Sequence, residues 1–144
     1  DYDYAFEEEK YRGAPDIRLH EIDVARPLEI AGERIVPVSG HHSERFEVTG
    51  YRIGRMAYLT DFKTIADAEV GKLIGVELLV VNALRFRPHP SHFNVGEALA
   101  LIARVAPRRA LITHVSHEIG RHAATTALLP RGVELAYDGL EIII

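Results

Sequence analysis

Four residues that could bind a metal or move a proton stand just beyond the ends of candidate strands. His42 follows a strand ending near Val38, and Asp61 ends a strand that begins at Met56. His92 lies in the loop after the strand from Val76, and His114 ends the strand from Ala110. In α/β sheets the ligand crevice forms beyond the carboxyl ends of strands, where separate loops can converge. Imidazole and carboxylate without thiolate suit zinc, manganese or iron, and one aspartate can bridge two ions. Each residue also has a plainer reading. A lone strand-end histidine is more often hydrogen-bonded or exposed than ligating, and Asp61 could simply cap the turn into the next helix. Their common placement is what favours a site. Eight histidines occur in 144 residues, and all but His20 fall between His41 and His122.

The elements that must position these side chains follow from hydrophobic period and turn chemistry. Glu7-Glu8-Glu9 and the turn signal Gly13-Ala14-Pro15 predict an irregular, solvated start. Ile17 to Ile22 alternates apolar and polar residues, the period of a half-buried strand, with His20 on the polar face. Leu28–Ile30, the turn Ala31-Gly32 and Arg34–Val38 read as a hairpin running into a loop from Ser39 to Ser43. Phe46–Ile53 and Met56–Thr60 are two further strands around Gly54-Arg55. Thr64, completed by Asp67, predicts a capped helix reaching about Leu73 and ended by Gly75. The run from Val76 to Val81 reads as a strand buried on both faces. Asn94 and Glu97 start a helix whose apolar face is Val95, Ala98, Leu99, Ile102, Val105 and Ala106, stopped by Pro107. After the strand Ala110–Thr113, Ser116 predicts a helix carrying Ile119, Ala123, Ala127 and Leu128, with His122 facing solvent. Val133–Tyr137, the Asp138-Gly139 turn and Leu140–Ile144 read as a closing hairpin. Antiparallel strands followed by alternating strands and helices give a mixed α/β architecture without an internal domain boundary.

Composition bounds the function. The chain is 47% hydrophobic and 26% charged, the make-up of one soluble globular unit. Its longest apolar runs fall far short of the roughly 20 residues that span a bilayer. No cysteine is present, which excludes disulfides and thiolate ligands and makes a reducing cytoplasm the expected compartment. A net charge of −4 argues against a protein that wraps nucleic acid. There is no initiator methionine, and Asp1-Tyr2-Asp3-Tyr4 reads like the interior of a longer protein.

An ordered series of segments carries a resemblance: Tyr51-Arg52-Ile53-Gly54, Ala57-Tyr58-Leu59-Thr60-Asp61, Asn82-Ala83-Leu84-Arg85, Ser91-His92-Phe93, Thr113-His114-Val115-Ser116-His117 and Ala136-Tyr137-Asp138-Gly139. Together they resemble the metallo-β-lactamase superfamily, in the branch that includes the phosphoribosyl cyclic phosphodiesterase of phosphonate metabolism, from about Tyr4 to the C-terminus. The resemblance implies an αββα sandwich of which residues 1–144 form the C-terminal portion, one mixed sheet with its helices and part of the other. It implies His42 as a ligand of a first metal, with His41 as the alternative in the neighbouring register, since His42-Ser43 stands where relatives have His-Gly. Asp61 becomes the bridging carboxylate and His114 a ligand of a second metal. His92 matches the family's non-ligand histidine beside the leaving group, a role that suits an imidazole with an ordinary pKa near 6.5. His89, between Pro88 and Pro90, falls at the rim, and His117 could orient His114. Arg85 and Arg87 could contact phosphate.

The His-x-His-x-Asp-His signature that supplies the remaining ligands in the superfamily does not occur in the chain. In relatives it precedes this stretch, so a complementary N-terminal segment or second chain is expected to complete the fold. The implied activity of the complete protein is phosphodiester hydrolysis, on a small cyclic or ribose phosphodiester, by two divalent ions, zinc or manganese. Such a pair generates hydroxide at neutral pH and stabilises charge on phosphoryl oxygens. Three alternatives stand beside it: a nuclease of the same fold, an acyl-bond hydrolase, and a non-catalytic half-domain. No membrane partner is expected, nucleic acid is disfavoured, and a homo-oligomer is allowed.

Overall fold

A computed structural model describes Phe6, Arg12, Gly13, Pro15 and residues 17–144. The acidic run and the Asp1–Tyr4 stretch lie outside the described residues. The described residues form one seven-stranded sheet whose spatial order is the order of the chain: β1 (Leu28–Ile30), β2 (Glu33–Ser43), β3 (Phe46–Ile53), β4 (Met56–Leu59), β5 (Leu78–Asn82), β6 (Arg109–Thr113) and β7 (Val133–Leu135). The first four strands pair antiparallel through short turns, and β4 to β7 pair parallel. Ala31 and Gly32 both take positive φ, 53° and 82°, as a two-residue hairpin matched to strand twist requires.

Parallel neighbours need crossovers, and these carry α1 (Asp67–Gly71), α2 (Val95–Val105) and α3 (His122–Thr126). Right-handed crossovers that always step in one direction along a sheet place every helix on the same face. That face is the core. Ala57, Leu59, Leu79, Val81 and Ile112 are fully buried there and join Val95, Ala98, Leu101, Ile102 and Val105 of α2 in one cluster. Burial of each large aliphatic side chain stabilises the fold by about 1.5–3 kcal/mol. Residues at alternate positions point the other way. Ile22, Leu28, Ile35, Tyr51, Met56 and Tyr58 line an almost wholly apolar groove of about 470 Å³ on the opposite face.

The capping box at α2 forms as its sequence predicts: Asn94 accepts from the Glu97 N–H while Glu97 accepts from the Asn94 N–H. Leu101, not Leu99, completes the buried stripe, and Ala106 leaves it as a left-handed C-cap with φ 51°. Other expectations are corrected. Residues 17–22 form no strand, although β1 leaves one side of the sheet open; Leu19 is 81% exposed, so the alternation there buries little. Thr64 does not cap α1. Its N–H and carbonyl are already bonded to His41, so the helix starts later, at Asp67, with no side-chain cap at Ala66.

β2 continues through the expected loop to Ser43, with a bulge between His41 and Ser43. Ser116 caps only a 3-10 turn, His117–Ile119, after which Gly120 at φ 95° breaks the helix. The Thr125 hydroxyl then donates to the Ile119 carbonyl, taking the acceptor that a continuous helix would use itself. Leu128 is accordingly 75% exposed rather than part of an apolar stripe. At the C-terminus the Asp138-Gly139 turn forms, closed by Leu140 N–H to the Tyr137 carbonyl, but Leu140–Ile144 adds no strand. β7 offers only three residues as a template, and Ile142–Ile144 lie instead beside Glu77, Arg109 and Glu134.

Candidate metal centre

The four strand-end residues meet at one edge of the sheet. The bulge that interrupts β2 re-aims one side chain out of the pleat, and His42 is the residue so turned. Its Nδ1 donates to the Asp61 carbonyl at 2.9 Å. A carbonyl can only accept, so the proton sits on Nδ1 and the Nε2 lone pair is free. Asp61 and His114 each follow the end of a parallel strand in the left-handed region, at φ 63° and 57°. Such strain in non-glycine residues persists only where neighbours over-determine it, and it clusters at functional sites.

Asp61 is the hub. Its Oδ1 lies 3.3 Å from His114 Nε2 and 3.7 Å from His92 Nδ1. The His92 ring is 4.5 Å from that of His42, 4.7 Å from His114 and 5.1 Å from His89, centroid to centroid. One candidate ligand atom from each of His42, Asp61 and His92 lies within 4.8 Å of the other two. His92 therefore joins His42 and Asp61 in one compact donor set, and His114, outside that set, adjoins it through Asp61.

Burial holds the pKa of His92 below the ordinary imidazole value, and the neighbouring His114 and His42 lower it further while Asp61 opposes them. These effects favour the neutral ring. Its Nδ1 is nevertheless buried without a hydrogen-bond partner, a state that costs roughly 1–3 kcal/mol when nothing satisfies the atom. A free Nε2 on His42, an orphaned nitrogen on His92 and a carboxylate between them fit a divalent cation held by nitrogen and oxygen. The residues that could hold one are His42, Asp61, His92 and His114.

Phe62 supports the cluster from below. A methyl group on Gly40 would come within 2.2 Å of the Phe62 ring and one on Gly50 within 2.4 Å of Leu59, so only glycine lets the ring lie flat on β2 and β3. Asn82, at the end of β5, is fully buried and bonds through both ends of its amide to the Phe62 backbone. The sequence reading missed Gly40, Gly50 and Asn82; an amide ending an otherwise apolar strand was the one available signal.

The remaining histidines separate by position. His41 is exposed and its backbone pairs with Thr64, so the register places His42 inward. His89 sits at the rim, its ring near Ser91, and burial together with Arg85 and Lys63 lowers its pKa. His117 is exposed in its 3-10 turn and forms no hydrogen bond to His114 among the described residues. His122 is exposed, as expected, and its Nε2 donates to the Leu135 carbonyl at 2.9 Å. Arg85 and Arg87 both grip Glu118, Arg85 at 2.6 Å, and these two contacts hold the Glu118 carboxyl below its usual pKa.

A strand-end histidine and aspartate cluster on a mixed sheet covered by helices on one face defines a metallo-β-lactamase fold. The chain belongs to the beta-lactamase superfamily domain family, whose profile matches residues 1–115. It is 35% identical to a structure described as a new diphosphatase from the PhnP family, with a TM-score of 0.85 over 91% of this chain and 50% of that one. The Bacillus subtilis metallo-beta-lactamase fold protein YhfI matches at 16% identity and a TM-score of 0.68, over 91% of this chain and 57% of its own. Human tRNase Z, short form, matches at 16% and 0.61, over 78% of this chain and 44% of its own; these two show the fold alone. A curated relative named octanoyltransferase, from Porphyromonas gingivalis, is 36% identical over 98% of this chain. The chain spans half the length of the diphosphatase and 29% of the octanoyltransferase. No helix among the described residues is long and apolar enough to cross a membrane.

Proposed function

We propose that this chain supplies the later half of a metal-dependent hydrolase site acting on a small cyclic or ribose phosphodiester. The observation that carries the reading is the convergence of His92 and His114 on the carboxylate of Asp61, with a ligand atom of His42 within 4.8 Å of those of Asp61 and His92. In this reading Asp61 sits between two divalent ions, zinc or manganese, with His42 toward one and His114 toward the other. When bound, such ions supply positive charge against the phosphoryl oxygens and lower the pKa of water toward neutrality. With Nδ1 facing Asp61, the neutral His92 ring would take at Nε2 a proton released from the water consumed in hydrolysis and return it to the departing alkoxide. Its lowered pKa makes the protonated ring a readier acid. Arg85 and Arg87 hold Glu118 at the mouth, so a phosphate reaching them must displace that carboxylate.

Catalytic zinc usually takes three protein ligands per ion, and His42 with Asp61, or Asp61 with His114, offers two. The remaining ligands, and the cover for the apolar groove, are assigned to a complementary segment or second chain of the same fold. The likeness to a PhnP-family diphosphatase supports phosphoryl chemistry. An acyl-bond hydrolase is the second reading, favoured by the octanoyltransferase relative, of which the match covers 29%. A reducing cytoplasm accords with the absence of cysteine.

Two measurements on the complete protein decide between the readings. Elemental analysis should find two zinc or manganese ions per site, and bis(p-nitrophenyl) phosphate should be turned over faster than p-nitrophenyl octanoate. The reverse preference would replace the phosphodiesterase reading with the acyl one, and a metal-free protein of full activity would end both.

A further inference from the structure

We propose that Asn82 is a positioning residue that sets the spacing between Asp61 and His92 by gripping both backbone polar groups of Phe62, which follows Asp61 and bonds to the residue after His92. Asn82 ends the central parallel strand and is completely buried. Its Oδ1 accepts from the Phe62 N–H at 2.8 Å and its Nδ2 donates to the Phe62 carbonyl at 3.0 Å. One side chain thus copies the paired donor and acceptor of a strand rung, at the point where β4 ends and Asp61 turns the backbone into the left-handed region. A buried amide satisfied at both ends against a single residue 20 positions away fixes that residue in translation and rotation.

The same Phe62 carbonyl also accepts from the Phe93 N–H at 2.8 Å. Asp61 immediately precedes Phe62, and His92 immediately precedes Phe93. One oxygen atom therefore ties together the two loops whose side chains face each other 3.7 Å apart. β5 extends the coupling to the third loop, because Asn82 pairs with Thr113, the residue before His114. Residues that orient metal-binding side chains without touching the ion typically change affinity by about 10–100-fold when replaced. Asn82 has that placement. Its neighbour Val81 is equally buried but faces the helices, and touches none of these loops through a hydrogen bond.

The proposal rests on the metal-site reading for one of its two readouts, and the other is independent of metal. The variants are Asn82→Leu, which keeps the volume and loses both hydrogen bonds, and Val81→Ala, which weakens the core without touching the grip. Asn82→Ser, too short to span both groups, serves in place of Asn82→Leu should the latter not fold. In the full-length protein, titration with Co²⁺ alone, followed by its visible absorption, should show affinity weakened about 10–100-fold for Asn82→Leu and unchanged for Val81→Ala. In metal-free protein the His92 ring ¹⁵N shifts should move for Asn82→Leu and stay for Val81→Ala. Unchanged ring shifts and unchanged Co²⁺ affinity in Asn82→Leu would overturn the proposal, as would equal loss of affinity in Val81→Ala. Failure of the wild type to bind Co²⁺ would count against the metal reading instead, and the ring shifts would then decide the role of Asn82.

Discussion

The polar edge of the sheet and its apolar open face differ in every local respect. At the edge, Asp61 and His114 hold strained backbone, and His92 keeps a buried nitrogen without a partner. On the open face Tyr58 is 42% exposed while its strand neighbours Ala57 and Leu59 are fully buried, and Ile30 on β1 is 54% exposed. The edge has polar atoms that need ligands, and the face has apolar area that needs cover. Large exposed apolar patches mark a surface that another element is meant to occupy. Both features accord with the complementary half proposed above.

Function at the edge should be the more sensitive of the two. His92→Ala in the complete protein is expected to lower turnover by about 10²–10⁴-fold with metal content unchanged, measured by steady-state rates beside elemental analysis. Loss of metal would instead move His92 into the ligand set that its geometry allows.

The open face is tested by charge. If the complementary half covers it, Tyr58→Asp should destabilise the complete protein by roughly 2–7 kcal/mol in urea titration, the range for burying a polar group without a partner. A change within about 0.5 kcal/mol, the ordinary surface value, would show that solvent covers that face and would break the comparison.

Gly40→Ala probes the support beneath the edge. Its methyl group would overlap Phe62, so a loss of about 1–3 kcal/mol is expected, accompanied by weaker Co²⁺ binding because Asp61 adjoins Phe62. Stability lost without any change in metal binding would uncouple the ring from the site.

The smallest effect concerns pH. Glu118 has a folded pKa below its unfolded one, because Arg87 and Arg85 stabilise the carboxylate. The unfolded state then binds more protons, so this contribution is present above the unfolded value and is lost as pH falls through the folded one. Glu118→Gln should flatten that acid limb in thermal scans below about pH 4.5, near the ordinary glutamate value. An unchanged limb would mean that the arginine grip is not retained in solution.

Much of the fold was legible because its signals were local. Asn94 and Glu97 announced α2, Ala31-Gly32 and Gly54-Arg55 the hairpins, and the apolar run to Val81 the central strand. The missed strands share one cause. Alternation at 17–22 and the apolar run at 140–144 state what a strand would look like, while pairing depends on how much template the edge strand offers, and β1 and β7 have three residues each. The strand-end rule brought His42, Asp61, His92 and His114 together, yet sequence could not reveal that His92 sits as close to Asp61 as a ligand would. Nor could it reveal Asn82, whose importance lies entirely in Phe62, on another strand's exit loop.

Strand order that copies chain order also bears on how the molecule is made. Each new strand finds its partner already in place, the one that preceded it, so no pairing waits for a distant part of the chain. Contacts between sequence neighbours close small loops and favour rapid folding. During synthesis the sheet can therefore lengthen one edge at a time behind the ribosome, from β1 to β7. The groove around Tyr51 and Tyr58 is then assembled by the time β4 emerges, well before the strands that complete the histidine edge. The groove thus depends on none of the strands β5 to β7, and its apolar surface is complete without them.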